Sequence, residues 1–186
     1  MSLLPHDAVL IVIDVQQAFD DPSWGKRNNP EAESNIAALL ASWRRTGRPI
    51  IHIQHRSLRL GSLFHPDTPG FKVKQEAMPL HDEPVIYKTV NSSFIGTDLE
   101  ERLRARGADV LVIAGITTDH CVSTTTRMAG NFGFTTYLVS DATATFERRG
   151  ANGRFFSAEE MHETALASLH SEFATVLNSA SVQEML

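Results

Sequence analysis

The chain reads as an open, doubly wound α/β domain, and three observations carry that reading. Short apolar runs rich in β-branched residues occur at 8–13, 49–53 and 110–114, with weaker versions at 85–87, 135–139 and 173–177. Helical patterns lie between them. The runs are apolar almost throughout rather than alternating, as strands covered on both faces require. Strands that alternate with helices build a mostly parallel sheet, and right-handed crossovers place helices on both of its faces.

Taken in order, the first strand ends at Asp14. Residues 31–46 place Ile36, Leu39, Leu40 and Trp43 at helical spacing, and Gly47 supplies the stop. Residues 97–106 repeat the device, with Leu99 and Leu103 inward and Gly107 as the terminator. Helical patterns at 119–132 and 158–169 complete the alternation. Two segments resist regular structure. Residues 56–84 carry Gly61, Pro66, Pro69, Gly70, Pro79 and Pro84, too many breakers for a long helix. Residues 146–157, with Gly150, Asn152 and Gly153, read as a turn or exposed flap. Both follow predicted strands, on the edge where open α/β sheets bind ligands. No repeat or linker interrupts the chain, so 1–186 is read as a single domain.

Composition narrows the function classes. At 186 residues, 42% hydrophobic and 21% charged, the sequence is that of an ordinary globular protein. A net charge of −5 works against a nucleic-acid partner. The lone cysteine cannot form an internal disulfide, which fits a reducing cytosol. The opening MSLLPHDAVLIVIDV has no basic region and its apolar run stops at Asp14, too short for a signal peptide or membrane span. The expectation is a soluble cytoplasmic protein acting on a small molecule, with neither nucleic acid nor membrane as partner.

The chemistry collects at three strand ends. Cys121 follows the run VLVIAG after a short polar turn, where a helix should begin. Free N–H groups at a helix start favour negative charge and can receive an oxyanion, which suggests a nucleophile; a buried structural cysteine is the plainer alternative. Asp14 ends the first strand and Lys88 the third. Carboxyl ends of parallel strands share one edge of the sheet, so the three positions can converge. Asp14 can take a thiol proton, and Lys88 can favour ionised partners and hold the carboxylate.

The segments VIDVQQAF, VIYKTVNSSFIGTDLEERLRARG and VLVIAGITTDHCV, in this order and spacing, resemble the isochorismatase-like cysteine hydrolases. That family includes nicotinamidases and N-carbamoylsarcosine amidohydrolases. The resemblance implies a six-stranded parallel sheet of order 3-2-1-4-5-6 and a catalytic triad of Asp14, Lys88 and Cys121. It implies a non-proline cis peptide at Ile116–Thr117, and an oxyanion site built from the backbone N–H groups of Thr117 and Cys121. It further implies a homo-oligomer, dimer or larger. The stretch from Gly115 to Gly150 is also similar to the streptothricin-hydrolase-like branch, whose members open a lactam.

Where nicotinamidases carry an Asp-x-His metal motif, this chain reads IHIQHRS, without the aspartate. The expectation is therefore no metal and no cofactor. Gln54 resembles the glutamine that isochorismatases use on substrate. Gln54, Phe19, Trp24 and Phe94 are taken as substrate-binding residues. His55 is taken with them, a capped surface histidine being the alternative. His120 adjoins Cys121, but helix neighbours point about 100° apart, so it packs beside the pocket or faces a partner subunit rather than forming a dyad. The leading function is hydrolysis of an amide, ureide or lactam C–N bond through a thioester. An isochorismatase-type vinyl ether hydrolase, which needs no thiol, is the alternative, and a binding or redox-sensing module on the same fold is a third reading.

Overall fold

The computed structural model describes residues 3–186. The sheet contains β1 (Val9–Ile13), β2 (Ile50–His55), β3 (Val85–Lys88), β4 (Val110–Ile116) and β5 (Thr135–Ala144). After a two-residue antiparallel hairpin, β6 (Arg148–Arg149) with β7 (Phe155–Phe156), the strand β8 (Thr175–Leu177) returns to its edge. All sheet pairings are parallel, in the order β3-β2-β1-β4-β5-β8. This is the topology the resemblance implied, with β8 in sixth place. The helices are α1 (Ala32–Thr46), α2 (Leu99–Ala105), α3 (Ser123–Asn131), α4 (Ala158–Leu169) and α5 (Ser179–Gln183).

Side chains alternate across a strand, and β1 shows how that alternation divides the core. Val9, Ile11 and Ile13 join Ile51, Ile53, Leu99, Leu103, Val122 and Ala129 on the face covered by α2, α3 and α4. Leu10 and Val12 join Ile36, Leu39, Leu40, Trp43 and Val182 on the face covered by α1 and α5. Both faces of β1 are fully covered, which explains its unbroken apolar sequence. Trp43 is itself buried and donates its indole N–H to the Ala8 carbonyl at 3.0 Å. Gly47 closes α1 at φ +66°, the left-handed conformation expected of a helix-ending glycine. Among the described residues no helix is long and apolar enough to cross a membrane.

β1 lies between β2 and β4, so the chain reverses its winding direction there, and a crevice opens at the carboxyl ends. Two backbone features shape it. Gly115 lies at φ +134°, and a Cβ there would sit 2.1 Å from the Ile13 carbonyl oxygen. The adjacent strand end, Asp14, takes φ +51°, a left-handed conformation that aspartate tolerates better than most residues. The irregular segment 56–84 is held down by Lys74, whose ammonium meets Glu33 at 2.8 Å and Asp20 at 2.5 Å, while Arg27 forks onto Glu33 from the other side.

Two predictions follow from this packing. Gly115→Ala forces a methyl group into the β1 backbone and should destabilise the protein by about 3 kcal/mol, at the upper end for overpacking; urea unfolding midpoints measure it. Glu33 gives a pH signature. Burial alone would raise its carboxyl from the ordinary 4.5, but hydrogen bonds and charge from Arg27 and Lys74 outweigh that and hold it at about 2. A depressed carboxylate contributes stability that is complete above its unfolded pKa and lost as pH falls through the folded one. Glu33→Gln should therefore cost about 3 kcal/mol at pH 7, as loss of one partner of a buried pair does. The difference from wild type should shrink between pH 4.5 and 2 in thermal melts.

Candidate active site

The three strand-end residues meet in the crevice. Lys88 Nζ lies 2.6 Å from Asp14 Oδ2, and their side chains are 0% and 1% exposed. Although the distance is that of a strong ion pair, neither carboxylate oxygen of Asp14 receives a well-aligned hydrogen bond. Lys88 also donates to the Val90 carbonyl at 3.2 Å and faces Nδ1 of His55 at 3.3 Å. An oxygen of Asp14, a ring nitrogen of His55 and Sγ of Cys121 all lie within 4.8 Å of one another. Asn91 donates its side-chain amide to Sγ at 3.6 Å.

Cys121 sits in a widened helical turn, Thr118–Val122, that precedes α3. The carbonyl of Thr117 accepts the N–H groups of His120 and Val122, on either side of Cys121. The N–H of Thr117 donates to no backbone carbonyl among the described residues, and the Ile116–Thr117 peptide is cis. Behind the turn, Thr118 meets Nδ1 of the buried His162 at 2.9 Å. Asp119 anchors the turn to the far wall by accepting from Thr145 at 2.5 Å and Arg148 at 2.7 Å.

Electrostatically the thiol differs from the sequence expectation that a helix start would favour its ionised form. Burial and the neighbouring Asp14 carboxylate push the thiol up to about 12, and Lys88 offsets only part of this. The thiol is therefore the resting form at neutral pH, with the carboxylate of Asp14 beside it. Burial, reinforced by the charge of Lys88, holds the His55 imidazole below its usual pKa despite Asp14.

Around this polar floor is a cavity of about 110 Å³. Phe19, Trp24 and Phe64 form its apolar wall; Asn91, Thr117 and His120 line its other sides with the reactive residues. Phe19 packs on Trp24 at 5.2 Å and edge-on to Phe64 at 5.1 Å, with Phe146 stacked behind both Phe19 and Trp24. Larger clefts lie beside Glu33–Lys74 and Arg44–Glu83, each lined by charged side chains, and another, beside Asn91 and His120, adjoins the cavity.

Two expected pocket residues are elsewhere. Gln54 is buried, donates to the Phe71 carbonyl at 2.6 Å, and lines no part of this cavity. It precedes His55 by one position, and alternation on β2 turns it to the opposite face. Phe94 packs in the core against Phe132 and Phe134. Phe19, Trp24 and His55 are where expected, and His120 lies beside the pocket rather than forming a dyad with Cys121.

Residues passed over by sequence reasoning include Phe64 and Gln16. Phe64 is an aromatic residue stranded in the breaker-rich segment, a signal that could have marked it. Gln16, in the first motif, accepts from the His55 N–H at 2.8 Å and donates to the His55 and Phe71 carbonyls, fixing the end of β2 beside the cavity. Asp14, His55 and Cys121 have the donor types for a divalent cation, but the ammonium of Lys88 already stands against Asp14 and His55.

Comparison with known proteins agrees with this architecture. A family model described as the isochorismatase domain matches residues 8–181. The isochorismatase family protein YrdC of Bacillus subtilis is 54% identical over 170 residues, 91% of each chain. A streptothricin hydrolase of Streptomyces noursei is 33% identical over 141 residues, 74% of this chain and 50% of that protein. The crystal structure of an isochorismatase-family hydrolase from Chromobacterium violaceum superposes with a TM-score of 0.97 at 45% identity, covering 100% of this chain and 96% of that one. The chain belongs to the isochorismatase family of hydrolases.

Proposed function

We propose that the protein is a cysteine amidohydrolase that cleaves a C–N bond of a small molecule through a thioester on Cys121. The observation that carries this reading is a buried thiol, in a cavity, within 4.8 Å of an ion-paired carboxylate. The streptothricin hydrolase among its relatives is in keeping with hydrolytic chemistry.

Asp14 removes the thiol proton as Sγ attacks the carbonyl carbon. The N–H groups of Thr117 and Cys121 receive the oxyanion, and Asn91 supports the developing charge on sulfur. Collapse breaks the C–N bond, and Asp14 passes the proton to the departing nitrogen. Asp14 then takes a proton from water, whose oxygen attacks the thioester; the acid leaves and Cys121 recovers its proton. The balance is one amide plus one water giving one acid and one amine. Lys88 holds a positive charge beside whichever of Asp14 and Cys121 is negative.

Cys121→Ala and Cys121→Ser should remain folded and lose nearly all turnover, while mass spectrometry of wild type with a slow substrate should show an acyl group on Cys121. Full activity in Cys121→Ala sinks the thioester mechanism. Asp14→Asn removes the base and should slow acylation roughly 10²–10⁴-fold. Thiol reactivity should move independently of turnover. Asp14 raises the thiol pKa and Lys88 lowers it, so iodoacetamide labelling of Cys121 should shift to lower pH in Asp14→Asn and to higher pH in Lys88→Met. Unchanged labelling and turnover in both variants would show that the three residues do not act as one site.

A further inference from the structure

Thr118 opens the widened turn that carries Cys121, and its side chain is buried. Among the described residues its hydroxyl has one hydrogen-bonding partner, Nδ1 of His162, at 2.9 Å. His162 is a 3% exposed imidazole on α4. Neither residue lines the cavity beside Cys121. On the far side of the ring, Nε2 lies 3.4 Å from the amide nitrogen of Asn29, and the Ser140 carbonyl accepts from the imidazole. Both hydrogens of that amide are already taken, by the carbonyls of Ser140 at 3.0 Å and Thr143 at 2.7 Å. None is left for Nε2, so Nε2 carries the ring proton and Nδ1 keeps its lone pair. Burial holds the imidazole below its usual pKa, although Glu159, Glu163 and Asp119 pull the other way. The neutral ring therefore accepts from Thr118 and donates to Ser140.

This bridge ties the Cys121 turn to β5 and to the segment before α1. Asn29 is fitted to its place there at φ +42°, a conformation asparagine tolerates. Thr118 directly follows Thr117, whose carbonyl accepts from His120 and Val122 and whose N–H donates to no backbone carbonyl among the described residues. Holding the Thr118 side chain therefore holds the peptide next to that free N–H. Asp119 tethers the turn at the following position, through Thr145 and Arg148, so the two anchors act on successive residues. An imidazole costs more to bury than a leucine unless its polar atoms are met, and here both are met by groups that fix backbone.

We infer that His162 is a positioning residue for the reaction: through the Thr118 hydroxyl it aligns the backbone N–H of Thr117 that receives the oxyanion, without touching substrate. This deepens the thioester reading and rests on it. It extends the machinery to α4, a helix that contributes no residue to the cavity lining.

The test compares two reagents at Cys121. Acetyl transfer from 4-nitrophenyl acetate passes through a tetrahedral oxyanion and releases 4-nitrophenol. Iodoacetamide is attacked at its methylene carbon, releases iodide and forms no oxyanion. Intact-protein mass spectrometry follows both adducts. Thr118→Val keeps the side-chain shape and removes the hydroxyl, and His162→Leu removes both polar atoms of the ring. Each should slow acetylation roughly tenfold while alkylation stays within about twofold of wild type. His162→Gln, whose amide offers an acceptor and a donor, should restore acetylation to within about threefold. Both lesions break one bond, so the double variant should be no slower than the slower single one. A fault that merely loosens the fold changes both reactions together, and that result overturns the inference. Unchanged acetylation in Thr118→Val also overturns it, whether or not His162→Leu folds. Wild-type protein that is alkylated but never acetylated at Cys121 removes the thioester reading itself, and the inference with it.

Discussion

The buried ion pair between Asp14 and Lys88 is the interaction on which the rest of the site depends. Taking both charges out of water is costly, and attraction between them repays that cost only when the geometry is good. At 2.6 Å the two charges are in contact, yet neither oxygen of Asp14 accepts a well-aligned hydrogen bond among the described residues, so part of that cost is not repaid. In the proposed mechanism its chemical value lies in what happens when Asp14 takes the thiol proton. The negative charge moves from oxygen to sulfur, a few ångströms away, while the ammonium stays in place. No new charge is created in the interior, so the step avoids most of the solvation cost of ionising an isolated buried thiol.

The fold serves this pair by bringing distant chain segments to one sheet edge. Lys88 ends β3 and Asp14 follows β1, with β2 between the two strands. The gap is spanned over the end of β2, where His55 faces the ammonium and Gln16 fixes the His55 backbone from both sides. On the other flank, β4 approaches β1 closely because Gly115 has no side chain. That approach carries the Cys121 turn up to the same edge. Cys121 is thus positioned by backbone contacts of the sheet and by Asp119 and Thr118 behind it, while short helical turns and the segment that carries Phe64 supply the aromatic wall.

What was legible in the sequence and what was not divides along physical lines. Asp14, Lys88 and Cys121 were readable because each terminates or follows an apolar run, and strand ends in a parallel sheet share an edge whatever the details of packing. The major helices were readable from periodicity, with α4 recovered at its observed bounds. Gln54 was misplaced because side chains on a strand alternate, so an uncertainty of one residue at a strand end exchanges pocket for core. Phe94 was misplaced for a related reason. Proximity to Lys88 in sequence does not reveal that the chain turns inward there, to stack Phe94 on Phe134. Phe64 lies in a segment with no periodicity, and only tertiary contacts place it over His55, at 5.3 Å. The wide turn at Thr118 likewise leaves no mark in a pattern of apolar residues.

The high thiol pKa is compatible with catalysis once access and activation are separated. A thiolate exposed at a helix start reacts with many electrophiles and oxidants, because its nucleophilic form is permanently present. Cys121 is 8% exposed and held near 12, so its nucleophilic form is scarce in the resting protein. Reactivity then depends on a proton acceptor already in place and on an electrophile that fits between the aromatic wall and Asp14. In the proposed mechanism selectivity then arises before the chemical step, from the surroundings of the thiol, and its ordinary nucleophilicity contributes little to it. On that mechanism, the same burial that makes the cysteine look inert by itself makes it discriminating in the company of Asp14 and Lys88.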